Sequence, residues 1–164
     1  MERTTSPLPR EIEWRMPRDP RSVGRSRSLL AEQARAWKVP DEVADTAVLL
    51  LSELMTNAVR HGRVPVGREV GARCVLDERV LRVEVADASD ALPCPREAGP
   101  DDESGRGLAL VELLADAWGA DPRPYGVGKT VWFELALPRV SPTRQQSLDS
   151  VGRRDPRSGT DRHP

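Results

Sequence analysis

Residues 49–62, Leu-Leu-Leu-Ser-Glu-Leu-Met-Thr-Asn-Ala-Val-Arg-His-Gly, constrain the fold of this chain more than any other stretch. Taken as a helix, Val43, Ala47, Leu50, Leu51, Leu54 and Ala58 form a broad apolar stripe that must face a core. Glu53, Asn57 and His61, at i, i+4 and i+8, share one side at the edge of that stripe. A carboxylate and an amide bordering a buried surface are costly unless something binds them. They are either half-exposed polar residues near a helix end or one wall of a site. The stretch alone leaves both readings open.

The chain has 164 residues, enough for one domain that buries a core and holds a ligand cleft at its edge. Charged residues make up 31% and nearly cancel, giving a formal charge of −1. That argues against direct nucleic-acid binding, which needs a basic excess to meet phosphates. No apolar run approaches the roughly 20 residues that span a bilayer. Residues 1–10 are polar and proline-bearing, without the apolar core of a signal peptide. A cytoplasmic protein without a membrane partner is expected. Cys74 and Cys94 form no CxxC or Cys/His cluster, which points away from metal or redox chemistry.

In chain order, residues 1–10 are expected to be a mobile lead, residues 11–138 the folded domain and residues 139–164 a disordered tail rich in Arg, Asp, Ser, Gly and Pro. Residues 11–16 alternate polar and apolar, the period of a half-buried strand. Asp19 and Pro20 then read as N-cap and first position of a helix running to about Lys38, with Val23, Leu30, Ala34 and Trp37 near one face. Arg21, Arg25, Arg27 and Arg35 decorate its other side. Pro40 and Asp41 start the second helix, and Gly62 is placed to cap it. Two strands follow, Glu69–Leu76 and residues 79–87, joined at Asp77 and Glu78. Leu81, Val83 and Val85 share a face, and Asp87 continues it in phase. A carboxylate in that position calls for a partner. Residues 88–103 are long for a loop in a compact domain and are expected to form a lid or binding loop. Gly105 and Gly107 precede an apolar helix expected over residues 108–118, so backbone N–H groups and the helix dipole could meet an anion there. A short strand, a hairpin turn at Gly126 to Gly128 and a last strand over residues 129–137 complete the domain. Val131, Phe133, Leu135 and Leu137 share one face of that last strand.

Three places thus break the apolar pattern: Glu53 and Asn57 on a helix, Asp87 at a strand end, and the glycine pair at a helix start. Together they describe a nucleotide site. The amide oxygen of Asn57 suits Mg²⁺, which shares oxygen ligands with phosphates. A buried carboxylate can accept a hydrogen bond from the adenine amino group. Glycine-flanked N–H groups suit phosphates, and Glu53, one turn from Asn57, can orient or deprotonate an attacking hydroxyl. Either Arg106 or Lys129 could supply a cation to the phosphates, with Arg106 favoured because it lies between the glycines.

These residues resemble a known family. Glu53-Leu54-Met55-Thr56-Asn57-Ala58 is similar to the asparagine box of the GHKL-type ATPases and kinases, which include gyrase, the histidine kinases and the MutL repair proteins. Asp87 at a strand end, Glu103-Ser104-Gly105-Arg106-Gly107-Leu108, and Gly128-Lys129-Thr130-Val131-Trp132-Phe133 extend the likeness over residues 11–138. Within the family the chain looks most like the small anti-sigma-factor serine/threonine kinases. The resemblance implies a two-layer α/β sandwich of the Bergerat type, with a mixed, mainly antiparallel sheet and about three helices. It implies ATP and Mg²⁺ as cofactors, Glu53 as catalytic base and Asn57 as metal ligand. Asp87 would contact the adenine, Gly105, Arg106, Gly107 and Leu108 would line the phosphates, and Thr130 would support the adenine end. Implied partners are a STAS-fold antagonist, which is phosphorylated, a sigma factor, which is inhibited, and a second copy of the chain. The segment Asp87-Ala88-Ser89-Asp90-Ala91 departs from the family's Asp-x-Gly-x-Gly in lacking both glycines. That departure leaves a non-catalytic anti-sigma or adaptor module as the alternative.

Overall fold

A computed structural model describes residues 9–60, 69–87, 103–123 and 128–139. The elements are β1 (Arg10–Pro17), α1 (Pro20–Ala36), α2 (Asp41–Arg60), β2 (Glu69–Leu76), β3 (Val80–Asp87), α3 (Glu103–Leu114), β4 (Ala117–Pro122) and β5 (Lys129–Ala136). His61, the expected cap Gly62, the segment between β3 and α3, Cys94 and most of both terminal segments lie outside the described residues.

The five strands form one sheet in the order β1-β2-β3-β5-β4. Every pairing is antiparallel, so the described sheet has no parallel component where a mixed one was expected. Side chains alternate across it with period two. Met16, Val70, Ala72, Cys74, Leu81, Val83, Val85, Val131, Phe133 and Leu135 are buried on the inner face. Three helices cover that face, giving the two-layer α/β sandwich. Burial pushes the Cys74 thiol up to about 12, which keeps it protonated and inert at neutral pH.

α2 is the centre of the helical layer. Ala47, Leu50, Leu51, Leu54, Met55 and Ala58 are buried on one stripe. Val43 is only partly buried, and Met55 completes the stripe instead. The helix packs against α1, α3, β3 and β5. α1 starts as its sequence dictates, with the Asp19 carboxylate accepting from the Arg21 N–H at 2.8 Å and Pro20 at the first position. Its buried face is Ser22, Ser26, Leu30 and Ala34 rather than one led by Val23. The serines tolerate burial because each hydroxyl donates to a backbone carbonyl, Ser22 to Pro17 at 2.6 Å and Ser26 to Val23 at 2.7 Å. α1 ends two residues before Lys38. Lys38 takes φ 58, and the N–H groups of Lys38 and Val39 bond back to Arg35 and Ala34 in a Schellman closure.

Among the described residues, the other face of the sheet carries no helix and is lined by charge. Glu11, Arg73, Glu84, Arg82 and Glu134 form a continuous ladder across β1, β2, β3 and β5, with contacts of 2.8, 3.1, 2.7 and 2.9 Å. The hydrogen bond from Arg73 holds the Glu11 carboxyl below its ordinary range. Arg82 stacks 4.0 Å from the Trp132 ring centroid, and Trp132 Nε1 donates to Asp121 Oδ2 at 2.9 Å. The indole lies against Gly119, where an added Cβ would sit 2.7 Å from Cζ2 and 2.9 Å from Cε2. Gly119→Ala must therefore displace the ring from both partners. The expected cost is about 1–3 kcal/mol, the usual range for overpacking. A urea midpoint lowered in this variant, but not by the same change made in a Trp132→Leu background, is the check.

The end of α3 departs from expectation. The helix stops at Leu114, and Ala117 and Trp118, expected to be helical, begin β4. The reason is tertiary. The Asp116 N–H donates to Glu134 O at 2.9 Å, and Asp116 Oδ2 accepts from the Ala136 N–H at 2.7 Å. These bonds dock the chain on the edge of β5, and Trp118 then faces Phe133 on the inner side.

Candidate functional site

The strand register places Pro17, Glu69, Asp87, Lys129 and Pro122 along one end of the sheet. α2 is tied to that same end. Arg18, just past β1, donates from Nε to the carbonyl of Ala58 at 2.9 Å, across 40 positions of sequence. The bond satisfies one of the orphan carbonyls of the last turn of α2 with a cation, which also suits the negative end of the helix dipole. Asn57, adjacent to Ala58, is thereby held at the Asp87 end, with Glu53 one turn back. Both are half-buried.

Asp87 is 6% exposed and continues the inner face of Leu81, Val83 and Val85 as its phase requires. It is not without a partner. The segment that follows α3 is fixed at the opposite end of the sheet by the Asp116 contacts. Leu108 is buried at 4% and, with Val111, anchors the helix to the core.

Two parts of the expected site sit differently. The helix was expected to begin at Leu108, with the glycine pair ahead of it. It begins at Glu103, so Gly105, Arg106 and Gly107 are helical. Only the first N–H groups of a helix lack an intrahelical partner. By that count they end at Gly105, while those of Arg106 and Gly107 are used within the ladder. Burial of Leu108 and Val111 offsets the roughly 1 kcal/mol cost of each helical glycine.

Thr130 is the second. It pairs with Ala86 and Asp121, one residue out of phase with Asp87, and so faces the charged side of the sheet rather than the helical layer. The β5 residue that shares Asp87's face is Lys129, directly opposite it in register and 7% exposed. The signal was present in the sequence: Val131 and Phe133 face inward, and position 129 is in phase with both.

Among the described residues, no group of three or more His, Cys, Asp or Glu side chains gathers as a metal cage. The Asn57 amide oxygen alone fits Mg²⁺, which takes one or two protein oxygens and completes its shell with water and phosphate.

The antiparallel sheet and the helical layer make an α/β sandwich, consistent with the Bergerat-type ATPase fold. The family profile of the histidine kinase-like ATPase domain matches residues 16–135. The chain belongs to this family, and membership supports ATP binding as its function. No curated protein matches the chain. Among the described residues, no helix is long and apolar enough to cross a membrane.

Proposed function

We propose that the chain is an ATP-dependent protein serine/threonine kinase of the anti-sigma-factor type, acting on a STAS-fold antagonist protein in a partner-switching system. The observation that carries this reading is Glu53 one turn from Asn57 on α2, whose last turn Arg18 ties to the end of the sheet that carries Asp87. In this reading Asp87 accepts from the adenine amino group and Asn57 offers its amide oxygen to Mg²⁺, which neutralises phosphate charge when bound. The start of α3, through Gly105, faces the phosphates, with Leu108 anchoring the helix that presents them. Glu53 accepts the proton of the attacking serine hydroxyl. The serine oxygen bonds to the γ-phosphorus as the bridge to the β-phosphate breaks, and ADP departs. The protein's contribution is mainly positioning and charge stabilisation, as in phosphoryl transfer generally.

The missing glycines after Asp87, and the helical placement of Arg106 and Gly107, favour a second reading: a non-catalytic adaptor that binds a sigma factor or antagonist. Incubation with γ-labelled ATP, Mg²⁺ and STAS-fold proteins separates the two. The kinase reading expects label on a partner serine or threonine. Tight partner binding without transfer would establish the adaptor instead.

A further inference from the structure

Lys129 opens β5 directly across from Asp87, on the face turned toward the helices. The two are 7% and 6% exposed. Lysine is almost never this buried unless its ammonium has a paired role, and neither residue is without a partner. The backbone that presents Lys129 is fixed. Gly128 turns into the strand at φ 88, and its carbonyl accepts from the Arg123 N–H at 2.8 Å, closing β4 onto β5. Facing residues of an antiparallel pair have Cα atoms about 4.5–5.5 Å apart. An acceptor and a donor therefore stand side by side at the end of the sheet to which the last turn of α2 is tied.

The edge of adenine presents the complementary pair, an N6 amino donor next to the N1 acceptor. Resting on the reading of Asp87 as the adenine contact, we propose that Lys129 is a base-reading residue of the same pocket, its ammonium donating to adenine N1 while Asp87 accepts from N6. Guanine reverses both groups, with an acceptor at O6 and a donor at N1. Held in the same pose, it sets oxygen against the carboxylate and N–H against the ammonium. The pair thus selects adenine by repulsion as well as by attraction. This position also assigns Lys129 to the base end of the nucleotide, rather than to the phosphates.

The test compares binding of ATP, 1-deaza-ATP, 7-deaza-ATP and GTP to the full chain and to Lys129→Met and Lys129→Gln. Losing a hydrogen bond to a charged group should weaken 1-deaza-ATP by about 10- to 100-fold in the wild type, while 7-deaza-ATP binds like ATP. That penalty should collapse toward one in Lys129→Met and persist in part in Lys129→Gln, whose amide can still donate. GTP should bind more weakly than ATP to the wild type. A wild-type 1-deaza penalty near one, an unchanged penalty in Lys129→Met, or GTP binding at least as tight as ATP would each overturn the assignment. The wild-type arms decide even if a variant does not fold. Binding of ATP with no 1-deaza penalty removes this inference alone. No binding of any nucleotide removes the nucleotide-site reading and this inference with it.

Discussion

Replacing Glu53 with Gln is expected to lower phosphoryl transfer to the partner protein by about 10²- to 10⁴-fold, the usual contribution of a positioned general base. ATP affinity should stay within about a factor of three. The two quantities separate because of where Glu53 sits. It lies on α2 one turn before Asn57, on the flank of the buried stripe formed by Ala47, Leu50, Leu51, Leu54, Met55 and Ala58. The amide of Gln fills the same half-buried space but cannot take a proton from a serine hydroxyl. Fold stability should therefore hold while the chemical step fails. Single-turnover transfer from γ-labelled ATP, measured beside nucleotide binding, checks this. A transfer rate unchanged in Glu53→Gln would reduce Glu53 to a polar residue at the rim of a core helix.

The second large effect is expected at Asn57. A nucleotide present at 100 times its dissociation constant stabilises the folded state by about 2.7 kcal/mol through mass action alone. For a domain of this size that raises the melting temperature by roughly 5–15 °C. In Asn57→Ala the Mg²⁺-dependent part of this shift should vanish. Melting without nucleotide should move little, since the side chain is half-buried and borders the core stripe without being part of it. Scans with ATP, with and without EDTA, make the comparison. A shift in Asn57→Ala as large as that of the wild type would remove Asn57 from the site.

Much of the fold was legible because its main elements obey one period each. α2 repeats apolar residues at helical spacing, and β2, β3 and β5 alternate strictly, so bounds and inner faces followed. The phase of β3 led to Asp87 without any tertiary information. What failed depended on contacts between distant segments. Ala117 and Trp118 suit the helical period after Leu114, but the bonds of Asp116 to Glu134 and Ala136 pull them into the sheet. Ser22 and Ser26 look like surface residues until their hydroxyls find carbonyls of Pro17 and Val23. The role expected of Thr130 is a different case. It came from matching a motif by residue type, whereas the alternation of β5 places Lys129 beside Asp87. The insertion of β5 between β3 and β4 carries no local signal at all, because strand order is decided by packing and not by neighbouring residues.

Among the described residues, the strand order leaves β1 and β4 as the edges of the sheet, and their composition bears on strand addition. β4 has six residues and ends on Pro122, which offers no N–H to a newcomer. β1 ends on Pro17 and carries Arg10, Glu11, Glu13 and Arg15 along its length. Short, charged and proline-ended strands are poor templates for strand addition. Growth of the sheet from molecule to molecule, the first step toward a fibril, is therefore disfavoured at both of these edges.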